Sequence, residues 1–316
     1  MPEAIIEATN LRKTYGDVEA LRGLSLEVHA GSLCGFLGRN GAGKTTTLKI
    51  LLGMMRPTSG EARVFGRRVS DSVASIEIRR DVAFVGEDKP LFDDMTVQDV
   101  IRFTAAFYPR WRQDLEQRYL ATFGLSRAMK VKTLSRGMRT GLALLLALCR
   151  NARLLILDEP TSGLDPAMSE QVLQALVRHV ASAETTVFFS SHQIAEVEQV
   201  ADRVVIIDRG RTTITAALDD LRAQYRRIHF VFDDDAPAPV FRAKGVERMF
   251  VKQRPPPFDV GIFDLGEVLE NRTTLHVALD ARERTIQPGG IHLVGVVLVP
   301  GRFDSHGLIR RYVRRL

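Results

Sequence analysis

Gly38-Arg39-Asn40-Gly41-Ala42-Gly43-Lys44-Thr45, continued by Thr46, has the spacing of a loop that holds phosphate. Its glycines let backbone N–H groups converge on phosphate oxygens, and the amphipathic helix expected directly after the loop would add the partial positive charge of its N-terminus. Lys44 is the group expected to reach the β- and γ-phosphates, and the Thr45 hydroxyl can ligate Mg²⁺. A second group with chemical potential is the pair Asp158-Glu159, placed directly after the apolar run Leu154-Leu155-Ile156-Leu157. Two ionised carboxylates at the rim of an apolar sheet repel each other and lose hydration, so they call for a cation. Mg²⁺ carried by a nucleotide would supply it, with Asp158 supporting the metal and Glu159 facing an attacking water as general base. Standing alone, the pair also reads as a solvated acidic turn before Pro160; a phosphate loop on the same sheet favours the metal reading.

These groups need a scaffold, and the sequence up to about residue 213 supplies one. Short apolar runs at 32–37, 82–85, 154–157, 186–190 and 204–207 alternate with segments of helical period, the pattern of a largely parallel sheet with crossover helices. Leu48, Leu51, Leu52 and Met55 share one helical face before Pro57, as do Leu142, Leu145, Leu146 and Cys149. Asp165 followed by Pro166 announces a helix whose apolar stripe runs from Met168 to Val180. Residues 88–150 carry helical segments and no convincing strand, so they are expected to form a helical insertion in an α/β domain. Residues 214–227 read as a linking segment with a helix at 218–227, and 228–316 as a small α+β domain. In that last part strands are expected near 228–232, 275–279 and 293–299, and a basic helix at 308–315.

The chain of 316 residues has an apolar content of 45% and a formal net charge of +6. That is enough for a full core and excludes a disordered tail. Its longest apolar stretches, such as 142–149, fall far short of the ~20 residues of a bilayer span, so membrane crossing is not expected of this chain. The first residues lack the basic and apolar regions of a signal peptide, and Cys34 and Cys149 lie far apart without metal-ligand spacing; a reducing, cytoplasmic setting is expected. Most of the basic excess lies from Leu221 onward, where Arg310, Arg311, Arg314 and Arg315 read as a solvated face or a contact for lipid headgroups.

Further motifs follow in order: Thr133-Leu134-Ser135-Arg136-Gly137-Met138, Thr161-Ser162-Gly163-Leu164-Asp165 and Ser190-Ser191-His192, with Tyr15 in Arg12-Lys13-Thr14-Tyr15-Gly16. Together with the phosphate loop and the carboxylate pair, they resemble the nucleotide-binding subunit of an ATP-binding cassette (ABC) transporter, over about residues 4–213. The resemblance implies a P-loop ATPase fold, ATP and Mg²⁺ as cofactors, and a head-to-tail dimer with a second cassette. Tyr15 would stack on adenine; Ser135 and Gly137 would contact the γ-phosphate held by the partner; Asp165 would touch the partner. His192 would contact the γ-phosphate in its own subunit and position water with Glu159. Separate transmembrane permease subunits are implied at the cytoplasmic face of a bacterial-type membrane, with the aromatic-rich stretch 88–111 (Phe92, Met95, Phe103, Phe107, Tyr108) offering their docking groove.

Four positions depart from the family's pattern. Arg39 stands where proline is common. Glu87 stands where glutamine usually contacts the metal or its water, as in some exporter-like members, and is kept in the nucleotide- and metal-binding set. Arg136 and Met138 replace a glycine and a glutamine of the signature. Export is the expected direction, and no specific nucleic acid is expected. The alternatives are a soluble cassette acting on ribosome or nucleic acid, and a regulatory cassette; retention of Lys44, Asp158, Glu159 and His192 argues against the latter.

Overall fold

A computed structural model describes residues 3–183, 185–230, 239–241, 258–264, 276–279 and 282–285. The chain divides into two compact units, Met1–Leu218 and Asp219–Leu316.

The first unit opens with β1 (Ala4–Tyr15) and β2 (Val18–His29), an antiparallel hairpin. Then come β3 (Leu33–Gly38), α1 (Lys44–Leu51), β4 (Ser59–Val64), β5 (Arg67–Arg68), α2 (Ser72–Asp81) and β6 (Val82–Val85). The helical segment holds α3 (Val97–Ala105), α4 (Gln113–Thr122), a 3₁₀ turn at Val131–Thr133 and α5 (Arg136–Leu148). The unit closes with β7 (Leu154–Leu157), α6 (Pro166–Ala183), β8 (Thr186–Ser191), α7 (Ile194–Val200), β9 (Arg203–Asp208) and β10 (Arg211–Ala217).

Six strands form the central sheet in the order β10-β9-β3-β8-β7-β6, parallel throughout except for the β9–β10 hairpin. β3, β7 and β8 are buried along their whole length, as central strands covered on both faces must be, and this is why they read as continuous apolar runs. A second, antiparallel sheet, β2-β1-β4-β5, shares the core: Leu24, Leu26 and Val28 of β2 point inward and alternate with exposed Ser25 and Glu27. That alternation is plain in the sequence, yet the expectation of one largely parallel sheet passed over it.

The helical insertion contains no strand, only an isolated bridge between Thr96 and Lys130. α1 ends at Leu51, earlier than the stripe through Met55 suggests: the Gly53 amide bonds to the Ile50 carbonyl with Gly53 at φ +64°, and Met55 lies beyond the helix. Asp165 caps α6 through its carboxylate, which accepts from the Met168 N–H at 3.0 Å, as the sequence suggests. Cys34 and Cys149 are free and buried, and desolvation pushes the Cys34 thiol up to about 12.

α8 spans Leu218–Gln224, beginning on the last residue of the first unit, and gives way at once to β11 (Tyr225–Phe230), so the linking helix expected at 218–227 is three residues shorter. β11 pairs antiparallel with β13 (Phe258–Asp264); β12 (Pro239–Phe241) pairs with β14 (His276–Leu279), which pairs with β15 (Arg282–Thr285). The strand expected at 293–299 and the helix at 308–315 lie outside the described residues.

Candidate functional site

Three neighbouring strands of the central sheet, β3, β8 and β7, each end in one piece of the candidate site. The position follows from topology: in an open α/β sheet the crevice outside the carboxyl ends of the strands is where ligands bind. β3 leads into the loop 38–45, β7 into Asp158-Glu159, and β8 into Ser190-Ser191-His192.

The loop turns into α1 at Gly43, whose φ is +107° and whose absent β-carbon would stand 2.7 Å from Leu21 Cδ2. Only glycine fits that combination of backbone and close approach by β2. Lys44 begins the helix and is buried; its Nζ donates to the Gly38 carbonyl at 2.6 Å and the Arg39 carbonyl at 3.3 Å. The same ammonium lies 3.0 Å from Glu159 Oε1, an ion pair outside hydrogen-bonding geometry. Glu159 Oε2 meets His192 Nδ1 at 2.8 Å, with the histidine ring partly open to solvent. One carboxylate thus faces a cation on one oxygen and an imidazole on the other.

Beneath it, Ser190 ties the two acids together. Its hydroxyl donates to Asp158 Oδ1 at 2.7 Å and accepts from the Glu159 backbone N–H at 2.9 Å. Glu159 itself adopts φ +49°, a left-handed conformation that costs a non-glycine residue of order 1 kcal/mol. Such strain persists only where the surroundings over-determine it; here the Ser190 bond and the following turn, in which the Ser162 N–H donates to the Glu159 carbonyl at 3.1 Å, do so.

A cleft of about 440 Å³ opens over these groups. Asn40, Gly41, Gly43, Lys44, Thr45 and Thr46 line it together with Glu87, Glu159 and His192, all expected from sequence. Gly38 and Ala42 belong to the same loop behind it, and Asp158 is buried below. Arg39 faces an adjoining cleft of about 600 Å³ with His192, Asp208 and Arg209.

Other expected residues are not in the cleft. Tyr15 ends β1, with its hydroxyl 2.7 Å from Met55 Sδ and the Lys13 ammonium 5.2 Å from its ring; Ala20, five residues on, lines the cleft instead. Ser135 caps α5 by accepting from the Met138 N–H at 3.2 Å, and Gly137 packs under Met168. These two and Asp165 lie outside the cleft lining of their own chain. Sequence reasoning assigned no role to Ala20, Ser162 or Ser190, although both serines stand inside quoted motifs. It also missed Lys89, a buried ammonium that donates to the Glu87 carbonyl at 3.0 Å; burial, then the charge of Arg136, lowers its pKa.

The oxygen donors available for a divalent cation are the Thr45 hydroxyl and the carboxylates of Asp158 and Glu87. Among the described residues no cluster of three or more acidic, histidine or cysteine side chains could cage a metal alone. Mg²⁺ keeps waters and substrate phosphates in its shell and needs one or two carboxylates, so this sparse, hard donor set fits it.

A phosphate loop, a buried carboxylate in contact with lysine and histidine, and a parallel sheet that brings them together define a P-loop nucleoside triphosphatase. Residues 21–162 match the family described as ABC transporter. The chain is 34% identical over 239 residues to the bacitracin transport ATP-binding protein BcrA of Bacillus licheniformis, covering 75% of this chain and 78% of that one. It is also 34% identical to the Nod factor export ATP-binding protein I of Cupriavidus pinatubonensis, over 69% of this chain and 68% of the relative. A solved ATP-binding subunit of an ABC transporter superposes with a TM-score of 0.61 at 28% identity, over 69% of this chain and 92% of that structure. The chain therefore belongs to the ABC transporter family, as an ATP-binding and ATP-hydrolysing subunit.

Proposed function

We propose that this chain hydrolyses ATP with Glu159 as general base and drives export through separate membrane-spanning subunits. The observation that carries the reading is the pairing of both Glu159 oxygens, one with Lys44 at 3.0 Å and one with His192 at 2.8 Å, inside the cleft behind the phosphate loop. Lys44 and the loop amides bind the β- and γ-phosphates, and Glu159 takes a proton from the attacking water. His192 fixes the carboxylate's orientation and contacts the γ-phosphate. Thr45, Asp158 and Glu87 hold Mg²⁺, which neutralises developing phosphate charge when bound. Asn40, Gly41, Ala42 and Thr46 complete the cradle, and Tyr15 stacks on adenine.

Ser135, Gly137 and Asp165, which lie outside the cleft lining of their own chain, serve the cleft of a second cassette in a head-to-tail dimer. The exposed N-terminus of α5, where Ser135 and Gly137 stand, suits that task, since a helix N-terminus attracts phosphate.

The contact with the spanning subunits falls on α3 and the segments that flank it. Phe92, Phe103 and Phe107 are exposed and form a ladder of edge-to-face rings, with centroids 5.6 and 5.3 Å apart. Such a patch on a soluble surface marks a binding face. Met95 and Tyr108 are partly buried, and Arg150 covers the Tyr108 ring at 3.9 Å, so these two belong to its base. Among the described residues no helix is long and apolar enough to cross a membrane, which suits a subunit held at the cytoplasmic face by partners. Export is favoured by relatives named for bacitracin transport and Nod factor export.

Glu159→Gln tests the reading. Turnover is expected to fall by about 10² or more, the usual share of a general base, while ATP is still bound and an ATP-dependent dimer accumulates on size exclusion. Undiminished steady-state hydrolysis would remove Glu159 from the role.

A further inference from the structure

Arg136, an exposed residue, opens α5 immediately after its Ser135 cap, and its guanidinium reaches back to the 159–163 turn. Nη2 donates to the Ser162 backbone carbonyl at 3.1 Å. The Ser162 N–H in turn donates to the carbonyl of Glu159 at 3.1 Å, so two hydrogen bonds connect the first turn of α5 with the residue that holds the reacting carboxylate.

The next residue is shaped for this contact. Gly163 has φ +69°, and the Arg136 guanidinium fills the space that a β-carbon on Gly163 would need. A second seam runs parallel to the first: a β-carbon on Gly137 would stand 3.0 Å from Cγ of Met168, whose N–H is capped by Asp165. The charge of Arg136 also reaches buried Lys89, whose amine bonds the carbonyl of cleft residue Glu87. The guanidinium thus sits where the segments after β6 and β7 meet the start of α5. A glycine at position 136 could make none of these contacts.

We infer that Arg136 is a positioning residue that straps the 159–163 turn to the first turn of α5. Movement of α5 towards a nucleotide is thereby passed to Glu159 of the same chain. The inference rests on Glu159 being the general base. Arg136 touches neither ATP nor water in this role, so its loss should alter the chemical step and spare binding.

The test uses the purified full chain with Arg136→Ala, Gly163→Ala and the double variant. Arg136→Ala is expected to lower kcat about tenfold with KM and the ATP dissociation constant unchanged, since a slight misplacement of a catalytic group costs rate without costing affinity. Gly163→Ala, which denies the guanidinium its seat, should lower kcat similarly, and the double variant should be no slower than either single one. If Arg136→Ala weakens ATP binding and leaves kcat intact, the residue contacts nucleotide and the strap is refuted. Independent, multiplying losses in the double variant, or an unchanged kcat in Arg136→Ala, also overturn it. Should Gly163→Ala fail to fold, the split between kcat and KM in Arg136→Ala decides alone. Glu159→Gln run alongside separates the two proposals: full turnover there defeats the base assignment, whereas lost turnover there beside an unchanged kcat in Arg136→Ala defeats the strap alone.

Discussion

Ser190 holds both acids of the site with one hydroxyl, giving a hydrogen to Asp158 and taking one from the Glu159 amide. Ser190→Ala would leave a buried carboxylate oxygen and a buried N–H without their partner. Each such loss costs ~1–3 kcal/mol, so the melting temperature should fall measurably and kcat should fall with it as Glu159 loses its backbone anchor. A thermal melt and a steady-state assay on the same preparation check both. The loop, the carboxylate pair and His192 were legible from sequence because each is a motif of fixed spacing. Ser190, Ala20 and Ser162 were not: their importance arises where β8 meets β7 and where the β1–β2 hairpin meets the loop, encounters between residues far apart in sequence. Arg136 was read only as a departure from a pattern, since a long side chain's destination is not written in its neighbours.

At the scale of elements, α4 and α6 meet through Tyr119, whose hydroxyl lies 3.3 Å from Nδ1 of the buried His179. Burial, reinforced by the charge of Arg112, lowers the His179 pKa from 6.5 to about 4. Folding therefore favours the neutral ring, and the unfolded chain binds the extra proton between those values. Stability should fall as pH drops from about 6.5 towards 4, by up to ~3 kcal/mol from this residue. Denaturant titrations of His179→Gln across that range should show a flatter slope than the parent. The helical character of the insertion was legible because its apolar residues recur at helical spacing. α1 was overextended because the periodic signal runs past Gly53, where the backbone turns left-handed and closes the helix. The four-stranded antiparallel sheet was legible in β2 but was masked by the stronger apolar runs of the parallel strands.

For the molecule as a whole, the first compact unit ends at Leu218, which is buried and whose N–H donates to the Asp202 carbonyl at 2.9 Å. That is five residues beyond the end suggested by composition, because β10 stays paired with β9 through Ala217. We expect a chain truncated after Leu218 to remain folded and to bind ATP with the affinity of the full chain. Circular dichroism and nucleotide titration of the truncated protein check this, and insolubility would place the boundary elsewhere.

The strand order also governs how the cassette is born. β3 pairs on both sides with strands made more than 150 residues later, Leu33 beside Val187 and Cys34 beside Arg203. While a ribosome is still synthesising the helical insertion, β3 has exposed edges, and neither the Asp158-Glu159 pair nor His192 has yet been made. Nascent chains stalled before β8 are thus incompetent to cleave nucleotide, and their open strand edges make them clients for chaperones.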